Sequence, residues 1–273
     1  MDSLGIAAIL GIVEGLTEFL PVSSTGHLII AGHLLGFVGE KAASFEVVIQ
    51  LGAILAVVCL YWNRFTRLLP KHRRSLIRER SALDGWSGLW RIGLATFPAL
   101  LGGYFARHTI KAELFNPEAV TLALAVGGAA ILLVEKFKSR RISNYIDRLT
   151  PWQALGIGLF QILALWPGTS RAAATIIGGM LVGLDRKSAA EFSFLIAVPV
   201  LFAAGGYELL KMRDQFVLQD ALDLGVGFVV SFVVALLAVK GFVRFLERGK
   251  LTPFAWYRLI VAPIFYYLTR ELN

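Results

Sequence analysis

The sequence lacks several of the features that most readily identify an enzyme. It contains one cysteine, Cys59, among 273 residues, so an internal disulfide and a cysteine-rich metal site are excluded. The Walker A pattern GxxxxGK[ST], the zinc motif HExxH and the nucleophile elbow GxSxG are also absent. These absences argue against a P-loop NTPase, a zinc metalloprotease and an α/β-hydrolase. The first residues, 1–3, include no basic side chain, and we therefore expect no cleavable signal peptide.

Charged residues are scarce over long stretches of the chain, which is 56% hydrophobic. Soluble domains are about 45–50% apolar, whereas nearly charge-free segments of about 20 residues are typical of transmembrane helices. We therefore predict an all-α polytopic membrane protein that forms one integral membrane domain over residues 1–273. Its net charge of +8 is expected in basic loops facing anionic lipid rather than in a nucleic-acid site. Six full spans are predicted near 45–61, 90–106, 120–135, 192–210, 224–239 and 253–269.

The loop charges orient these spans. Lys and Arg are in clear excess in the loops 62–91, 136–148 and 240–250, but not in the loops 107–119 and 211–223. By the positive-inside rule the first three are predicted to be cytoplasmic and the other two outside. All six spans then alternate sides without conflict.

Two further apolar regions, 4–35 and 152–184, are interrupted by Pro, Gly and polar residues. The alternation of the spans requires the second region to enter and leave the membrane on the same side. A re-entrant helix pair with its polar turn buried in protein satisfies this requirement. Two short full crossings would satisfy it as well, but we favour the re-entrant pair, which gives two such pairs beside six spans.

The two interrupted regions belong to an internal repeat. Residues 20–25 match residues 166–171 at an offset of 146, and residues 45–49 match residues 192–196 at an offset of 147. The copies are predicted to cover about 1–135 and 152–273. Because the second copy starts on the opposite side of the membrane, this is an inverted-topology repeat. The binding sites of such proteins lie where the broken helices of the two copies meet.

Two carboxylates and an imidazole lie in the first interrupted region. Glu14 and Glu18 are four residues apart, so both side chains lie on one face of a helix. Pro21 and the hydroxyl residues after it predict the start of a second helix, and a helix N-terminus binds phosphate readily. Because ionisable groups at bilayer depth are costly, a functional role is favoured for Glu14, Glu18 and His27. The hydroxyl residues are Ser23, Ser24 and Thr25, for which ordinary helix capping is the alternative interpretation.

The second interrupted region contains an arginine in an apolar context. Arg171 follows the segment Gly168-Thr169-Ser170 and needs an anionic partner at this depth. That partner is either one of the two carboxylates of the first region or a substrate phosphate held by a bidentate contact. Gly168 would let the backbone approach a ligand closely. Gln161 is another polar residue of this region, for which packing and function are equally open.

These motifs resemble a known family. Residues 14–27 are similar to the first signature of bacterial undecaprenyl-pyrophosphate phosphatases of the bacitracin-resistance type, and residues 167–171 to the second. The similarity extends over the whole chain and includes residues 45–52. The resemblance implies a fold of inverted repeats with re-entrant helix pairs. It transfers the family's functional residues to Glu14, Glu18, Ser24, Thr25, His27, Ser170 and Arg171.

The resemblance also implies an activity. Such an enzyme converts undecaprenyl pyrophosphate to undecaprenyl phosphate and inorganic phosphate at the outer face of the bacterial cytoplasmic membrane. The reaction recycles the lipid carrier for peptidoglycan synthesis, and overproduction gives bacitracin resistance. The family depends on a divalent cation, magnesium or calcium. The expected partners are therefore a polyprenyl pyrophosphate lipid and the membrane, while the sequence leaves open whether the protein forms a homodimer.

Roles for the individual residues follow as hypotheses. Ser24 is the nucleophile, and His27, oriented by Glu18, is the general base and then the acid; direct attack by water that His27 activates is the alternative. Glu14 and Glu18 hold the metal ion. Arg171 stabilises the charge on the phosphate, and the other substrate-binding residues are Ser23, Thr25, Gly168, Thr169 and Ser170. A lipid-phosphate flippase built on the same repeat is the competing function.

The second motif departs from the family pattern. The family usually continues Ser-Arg-Ser-Gly, whereas this chain has Ala172 and Ala173 after Arg171. If the missing glycine serves only the tight start of a helix, Ala173 costs about 0.5–1 kcal/mol or nothing, depending on its backbone dihedrals. If the missing hydroxyl contacts phosphate, the enzyme is slower or differently selective. Residues 24–27 also superficially resemble a box of acid-phosphatase-type lipid phosphatases, but that mechanism needs a histidine after Arg171 and the chain has none.

Overall fold

The computed structural model describes residues 2–69, 81–114, 116–137, 145–212 and 221–271. Within these ranges the regular secondary structure is helical, as the composition predicts. Short 3₁₀ segments cover Ile146–Arg148 and Leu163–Leu165, and a π-helical turn covers Ile110–Leu114. The α-helices of the described ranges are α1 (Ser3–Thr17), α2 (Ser24–Leu34), α3 (Glu40–Leu60), α4 (Trp62–Leu68), α5 (Gly85–Thr109), α6 (Pro117–Phe137), α7 (Pro151–Ile162), α8 (Arg171–Leu181), α9 (Arg186–Met212), α10 (Ala221–Leu246) and α11 (Thr252–Glu271).

Four of the described helices, α3, α6, α9 and α10, are long and apolar enough to cross a membrane. They coincide with four of the six predicted spans, and the prediction of a multi-pass membrane protein is confirmed. The other two predicted spans lie within α5 and α11, which have 25 and 20 residues. At about 1.5 Å per residue both helices reach about 30 Å or more, the thickness of the hydrocarbon core. Neither is among the four helices that length and hydropathy select, and each contains an internal proline, Pro98 in α5 and Pro263 in α11.

The two interrupted regions fold as pairs of short helices. Helices α1 and α2 have 15 and 11 residues, and helices α7 and α8 have 12 and 11. An 11-residue helix rises only about 16 Å, about half of the hydrocarbon core. Helix α7 begins with a capping box in which Thr150 and Gln153 bond each other's backbone N–H groups, and Pro151 occupies its first turn. These lengths fit re-entrant pairs better than full crossings.

The repeat is visible in the backbone, with one correction to its register. Helices α2 and α8 have equal length and begin 147 residues apart, at residues 24 and 171. Each follows a serine with a left-handed backbone, Ser23 (φ 74°) and Ser170 (φ 70°). The offset of 146 that aligned Pro21 with Pro167 is therefore wrong by one residue. The left-handed serine, rather than the proline, sets where each helix begins.

The two copies also pack in the same way. Helix α1 packs mainly on α10 and helix α7 mainly on α5, while α6 pairs with α11. Glycines allow both close approaches. A Cβ atom on Gly15 would lie 2.7 Å from the carbonyl oxygen of Ser231, and one on Gly158 would lie 2.7 Å from that of Ala95. Each of these short helices is thereby held against a long helix of the other copy.

Contacts at one end of the molecule support the predicted orientation. Arg64 pairs with Asp147, and Ser81 donates a hydrogen bond to the same carboxylate at 2.5 Å. Glu135 accepts a hydrogen bond from the backbone N–H of Leu251 at 2.9 Å. These contacts join the loop 62–91 to the segment after α6, and the end of α6 to the start of α11. The described parts of the three loops that are predicted to be cytoplasmic from their charge therefore lie at the same end of the molecule.

Candidate functional site

The candidate site lies where the first helix of the N-terminal copy ends and the second helix of each copy begins. Glu18 caps the C-terminus of α1, Ser24 is the first residue of α2, and Arg171 is the first residue of α8. All three side chains are buried or nearly so. The repeat therefore brings together residues from the two sequence motifs, as an inverted repeat with broken helices is expected to do.

Glu18 connects the two motifs directly. Its Oε2 atom accepts a hydrogen bond of 2.6 Å from the Ser24 hydroxyl, and its Oε1 atom lies 3.0 Å from Nη2 of Arg171. The side chains of Glu18 and Arg171 are 6% and 10% exposed, so solvent screens this ion pair very little. Of the two partners that the sequence left open for Arg171, the structure pairs it with a carboxylate, and that carboxylate is Glu18. The same carboxylate is placed to accept the proton of the Ser24 hydroxyl.

Arg171 is fixed by further contacts on α9 and α8. Its Nη1 atom donates to the carbonyl oxygen of Ser193 at 3.2 Å, and the Ser193 hydroxyl is hydrogen-bonded to Thr175 at 2.6 Å. The guanidinium also lies over the ring of Phe19, 5.2 Å from its centroid. Its buried Nε atom has no hydrogen-bond partner among the described residues. One donor of the guanidinium thus remains free for a ligand.

Glu14 lies one turn before Glu18 and is completely buried. Neither of its carboxylate oxygens has a hydrogen-bond partner in the described part of the chain. No group of three or more His, Cys, Asp or Glu residues suited to a metal ion occurs there either. A magnesium ion typically takes only one or two carboxylates and completes its shell with water and phosphate oxygens. The free oxygens of Glu14 therefore fit the predicted divalent cation, while both oxygens of Glu18 are already engaged.

His27 lies on α2 one turn after Ser23 and does not contact Glu18. Its Nδ1 atom is 2.7 Å from the carbonyl oxygen of Ser23, and its Nε2 atom is 2.6 Å from the hydroxyl of Tyr257. Both ring nitrogens are therefore engaged. The hypothesis that Glu18 orients His27 does not match this geometry, because Glu18 bonds Ser24 and Arg171 instead.

Arg258 on α11 is a buried cation that the sequence reasoning missed. It donates a hydrogen bond to Pro21 O (3.3 Å) in the turn before α2, which we call the first turn. It also donates to Gly168 O and Thr169 O (both 3.0 Å) in the turn before α8, the second turn. It also donates to two carbonyl oxygens of α6, at Ala123 and Leu124. The side chain is 0% exposed, and no described carboxylate pairs with it. A lone arginine inside the predicted span 253–269 was the available signal, because such residues are rarely placed in a span without a role.

Two other expectations about the second turn are resolved by the backbone. Gly168 has a φ of +91°, and a Cβ atom there would lie 2.5 Å from the carbonyl oxygen of Val120. The close approach that this glycine allows is therefore to α6. Ala172 and Ala173 lie in the regular first turn of α8 and are 0% and 2% exposed. A helical backbone favours alanine over glycine, so the missing glycine carries no penalty here.

The remaining predicted binding residues surround this cluster. The Ser170 hydroxyl accepts a hydrogen bond from the backbone N–H of Ala173 at 3.2 Å, as a helix cap does. Ser23 has no such cap bond, and Thr25 and Thr169 are partly exposed. Their predicted contacts with substrate stay predictions.

The fold and this cluster together define an integral membrane protein with a buried polar site for an anionic group between two broken helices. Residues 7–264 match the family model described as bacitracin resistance protein BacA, and the chain belongs to that family. The resemblance drawn from the two motifs is thereby confirmed, and the chain is placed in a family of membrane phosphatases.

Relatives with the name undecaprenyl-diphosphatase are similar to the chain over nearly its whole length. The protein of Maridesulfovibrio salexigens is 58% identical over 265 residues, which are 97% of this chain and 98% of the relative. The protein of Solidesulfovibrio magneticus is 56% identical over 262 residues (96% and 97%). The protein of Nitratidesulfovibrio vulgaris is 55% identical over 267 residues, 98% of each chain.

Proposed function

We propose that the protein hydrolyses undecaprenyl pyrophosphate to undecaprenyl phosphate and inorganic phosphate. The names of its relatives support the substrate, and the site supports the chemistry. The observation that carries the proposal is the position of Glu18 between the Ser24 hydroxyl and the Arg171 guanidinium. A nucleophile, a proton acceptor and a cation for phosphate charge are thus in direct contact in a buried site.

The residues suggest a two-step reaction. The Ser24 oxygen attacks the terminal phosphorus and passes its proton to Glu18, while the bond from that phosphorus to the bridging oxygen breaks and undecaprenyl phosphate leaves. Water then attacks the phosphoserine while His27 takes the proton of that water. The bond from phosphorus to the Ser24 oxygen breaks, Glu18 returns its proton to that oxygen, and inorganic phosphate leaves. Arg171 stabilises the charge on the transferred phosphoryl oxygens in both steps. Direct attack by water on the lipid remains the alternative to the first step.

A divalent cation, magnesium or calcium, is part of the proposal. Glu14 is the first candidate to hold it, because both of its buried oxygens are free of partners, and Glu18 is the second. When bound, the ion would neutralise charge on phosphate oxygens. The rest of the chemistry is assigned to the side chains.

The location is also a proposal. We place the reaction at the outer face of the bacterial cytoplasmic membrane, where it would recycle the carrier lipid for peptidoglycan synthesis and confer bacitracin resistance. The loop charges support this orientation. They put the start of α3, and with it the α1–α2 pair, on the outside, and the basic loops on the cytoplasmic side.

The test is the release of inorganic phosphate from undecaprenyl pyrophosphate by the detergent-purified protein, with and without EDTA. Arg171→Ala should abolish the release, and EDTA should abolish it reversibly on addition of Mg²⁺ or Ca²⁺. Arg186→Ala is the matched control, since Arg186 also forms an ion pair, with Glu135, but at the cytoplasmic end. It should retain activity.

One feature favours a second candidate, a lipid-phosphate flippase, because inverted repeats with broken helices are common in transporters. Detergent removes the two sides of a membrane, so a pure flippase would release no phosphate in the same assay. Folded wild-type protein without phosphate release would therefore contradict the hydrolase and favour transport. Acid-stable phosphate on Ser24, absent from Ser24→Ala, would distinguish the covalent route from direct attack by water.

A further inference from the structure

Tyr257 on α11 contacts the histidine of the first motif, although no motif includes this tyrosine. Its hydroxyl oxygen lies 2.6 Å from Nε2 of His27. The two rings are nearly parallel, with an interplanar angle of 8° and centroids 5.6 Å apart. Tyr257 lies at the protein surface, since it is 42% exposed. The pair therefore joins the buried site to the exposed surface of α11.

The other nitrogen of the ring fixes the tautomer. Nδ1 of His27 lies 2.7 Å from the carbonyl oxygen of Ser23. A carbonyl oxygen can only accept a hydrogen bond, so Nδ1 carries the hydrogen. In a neutral imidazole Nε2 is then unprotonated and accepts. The hydroxyl of Tyr257 is consequently the donor in its contact with Nε2.

The second copy of the repeat forms the equivalent turn without a histidine. The backbone around Ser170 has the same left-handed conformation as that around Ser23, and an 11-residue helix follows each. At the shared offset of 147 the residue equivalent to His27 is Ala174, which is buried and has no ring to bond the serine carbonyl. The second turn forms without an imidazole. An imidazole is therefore not a requirement for a turn of this kind, which leaves the His27–Tyr257 pair available for another role.

We propose that Tyr257 is a positioning residue for His27. Its hydroxyl donates to the one basic lone pair of Nε2 and so holds the imidazole in the Nδ1–H tautomer. When a proton is taken up at Nε2, Tyr257 passes its own hydroxyl proton to Nε2 and takes the proton of the attacking water in its place. The new N–H then donates to the phenolic oxygen, so the same hydrogen bond persists with its direction reversed. Tyr257 thereby keeps the ring in place in both protonation states. The kinetic part of this inference rests on the proposed function, in which His27 acts as a base.

The tautomer can be tested directly by ¹⁵N NMR of the full-length protein in detergent with ¹⁵N-labelled histidine. The chain has four histidines, and the His27 signals are those lost in His27→Gln. We expect a protonated, pyrrole-type Nδ1 and an unprotonated, pyridine-type Nε2. Tyr257→Phe should move the Nε2 resonance towards that of a free pyridine-type nitrogen. Tyr145→Phe, which removes a hydroxyl from an exposed tyrosine between α6 and α7, should leave it unchanged.

Kinetics test the consequence for turnover. Tyr257→Phe should lower kcat about ten- to hundred-fold with KM nearly unchanged, because a misplaced base loses part of the usual contribution of general base catalysis. A protonated Nε2 in the wild type, or an Nε2 signal that Tyr257→Phe does not move, would overturn the assignment. A moved signal with unchanged kcat would overturn the catalytic role. Since the NMR result needs no substrate, failure of the proposed hydrolysis would be recognised separately.

Discussion

Ser23 and Ser170 occupy equivalent positions in the two copies of the repeat and share a left-handed backbone conformation. Their φ angles are 74° and 70°, and each directly precedes an 11-residue helix. This conformation is costly for any residue except glycine, and strained backbone is concentrated at functional sites. The two turns also share Arg258, which binds a carbonyl oxygen in each. The site is thus built on two strained turns that one cation holds together.

Replacement of the strained serines by glycine should separate backbone strain from side-chain function. Ser23→Gly should raise the free energy of unfolding by about 1 kcal/mol, because glycine adopts a positive φ without strain. Ser170→Gly should gain less, since it also loses the hydrogen bond that caps the N–H of Ala173. Thermal unfolding in detergent gives both values. An equal gain in the two variants would contradict a stabilising cap at Ser170.

The ion pair between Glu18 and Arg171 should be essential for turnover. Glu18→Gln leaves the buried guanidinium unpaired, which costs about 3–5 kcal/mol, and removes the proton acceptor of Ser24. Arg171→Lys keeps the charge but not the geometry of the guanidinium, and both variants should lose several orders of magnitude in kcat. Glu135→Gln is the control, because its partner Arg186 is 28% exposed and lies far from the site. Phosphate release with near-normal kcat in Glu18→Gln would refute the role given to this carboxylate.

Gly127 on α6 offers a way to disturb Arg258 without touching either motif. A Cβ atom at this position would collide with the Arg258 guanidinium. Gly127→Ala should therefore displace the guanidinium from the two turns and lower kcat by at least ten-fold, by analogy with other small misplacements of catalytic geometry.

Gly241→Ala is the matched substitution, since a Cβ atom there meets nothing within 4 Å. Gly241 lies within the long helix α10, near its C-terminal end. The substitution should leave activity unchanged and slightly raise stability, as alanine does in a helix. Equal activity in the two alanine variants would show that the position of Arg258 does not matter for turnover.

The contact between Arg64 and Asp147 predicts a dependence of stability on pH at the end of the molecule that carries the basic loops. The hydrogen bond from Arg64, with a second from Ser81, holds the pKa of the Asp147 carboxyl below its ordinary value. A lowered pKa in the folded protein means that the contribution is complete above about pH 4, the ordinary range of Asp, and is lost as the pH falls through the lower folded value. Because the pair is partly exposed, the contribution is about 0.2–1 kcal/mol. Thermal unfolding between about pH 5 and pH 3 should show the loss in the wild type and a smaller one in Asp147→Asn.

Much of the molecule could be predicted from local patterns. Hydropathy identified the long spans, loop charge predicted which loops lie on one side, and the spacing of Glu14 and Glu18 placed both on one helix face. These signals depend on residues that are neighbours in the chain, so no tertiary contact is needed to recognise them. The two motifs likewise identified the family, and the comparisons confirm it.

The register of the internal repeat and the pairing of distant side chains could not be predicted from such local patterns. Pro21 and Pro167 suggested an offset of 146, but the dihedral angles of Ser23 and Ser170 set it at 147. A proline can be recognised in the sequence, whereas the left-handed backbone conformation of a serine is imposed by the packing around it. The one-residue difference is what makes Ser24 and Arg171 equivalent positions with different chemistry.

The sequence alone determined the membrane class and the long helices, and it predicted the residues that we propose carry the chemistry. Only the tertiary structure decided that Glu18 bonds Arg171, 153 residues away, and that His27 bonds Tyr257, 230 residues away. It also revealed Arg258, whose partners are backbone carbonyl groups present at every residue. Hydropathy and helical periodicity are properties of short segments, but the distance between distant side chains is fixed by how the helices of the two copies pack.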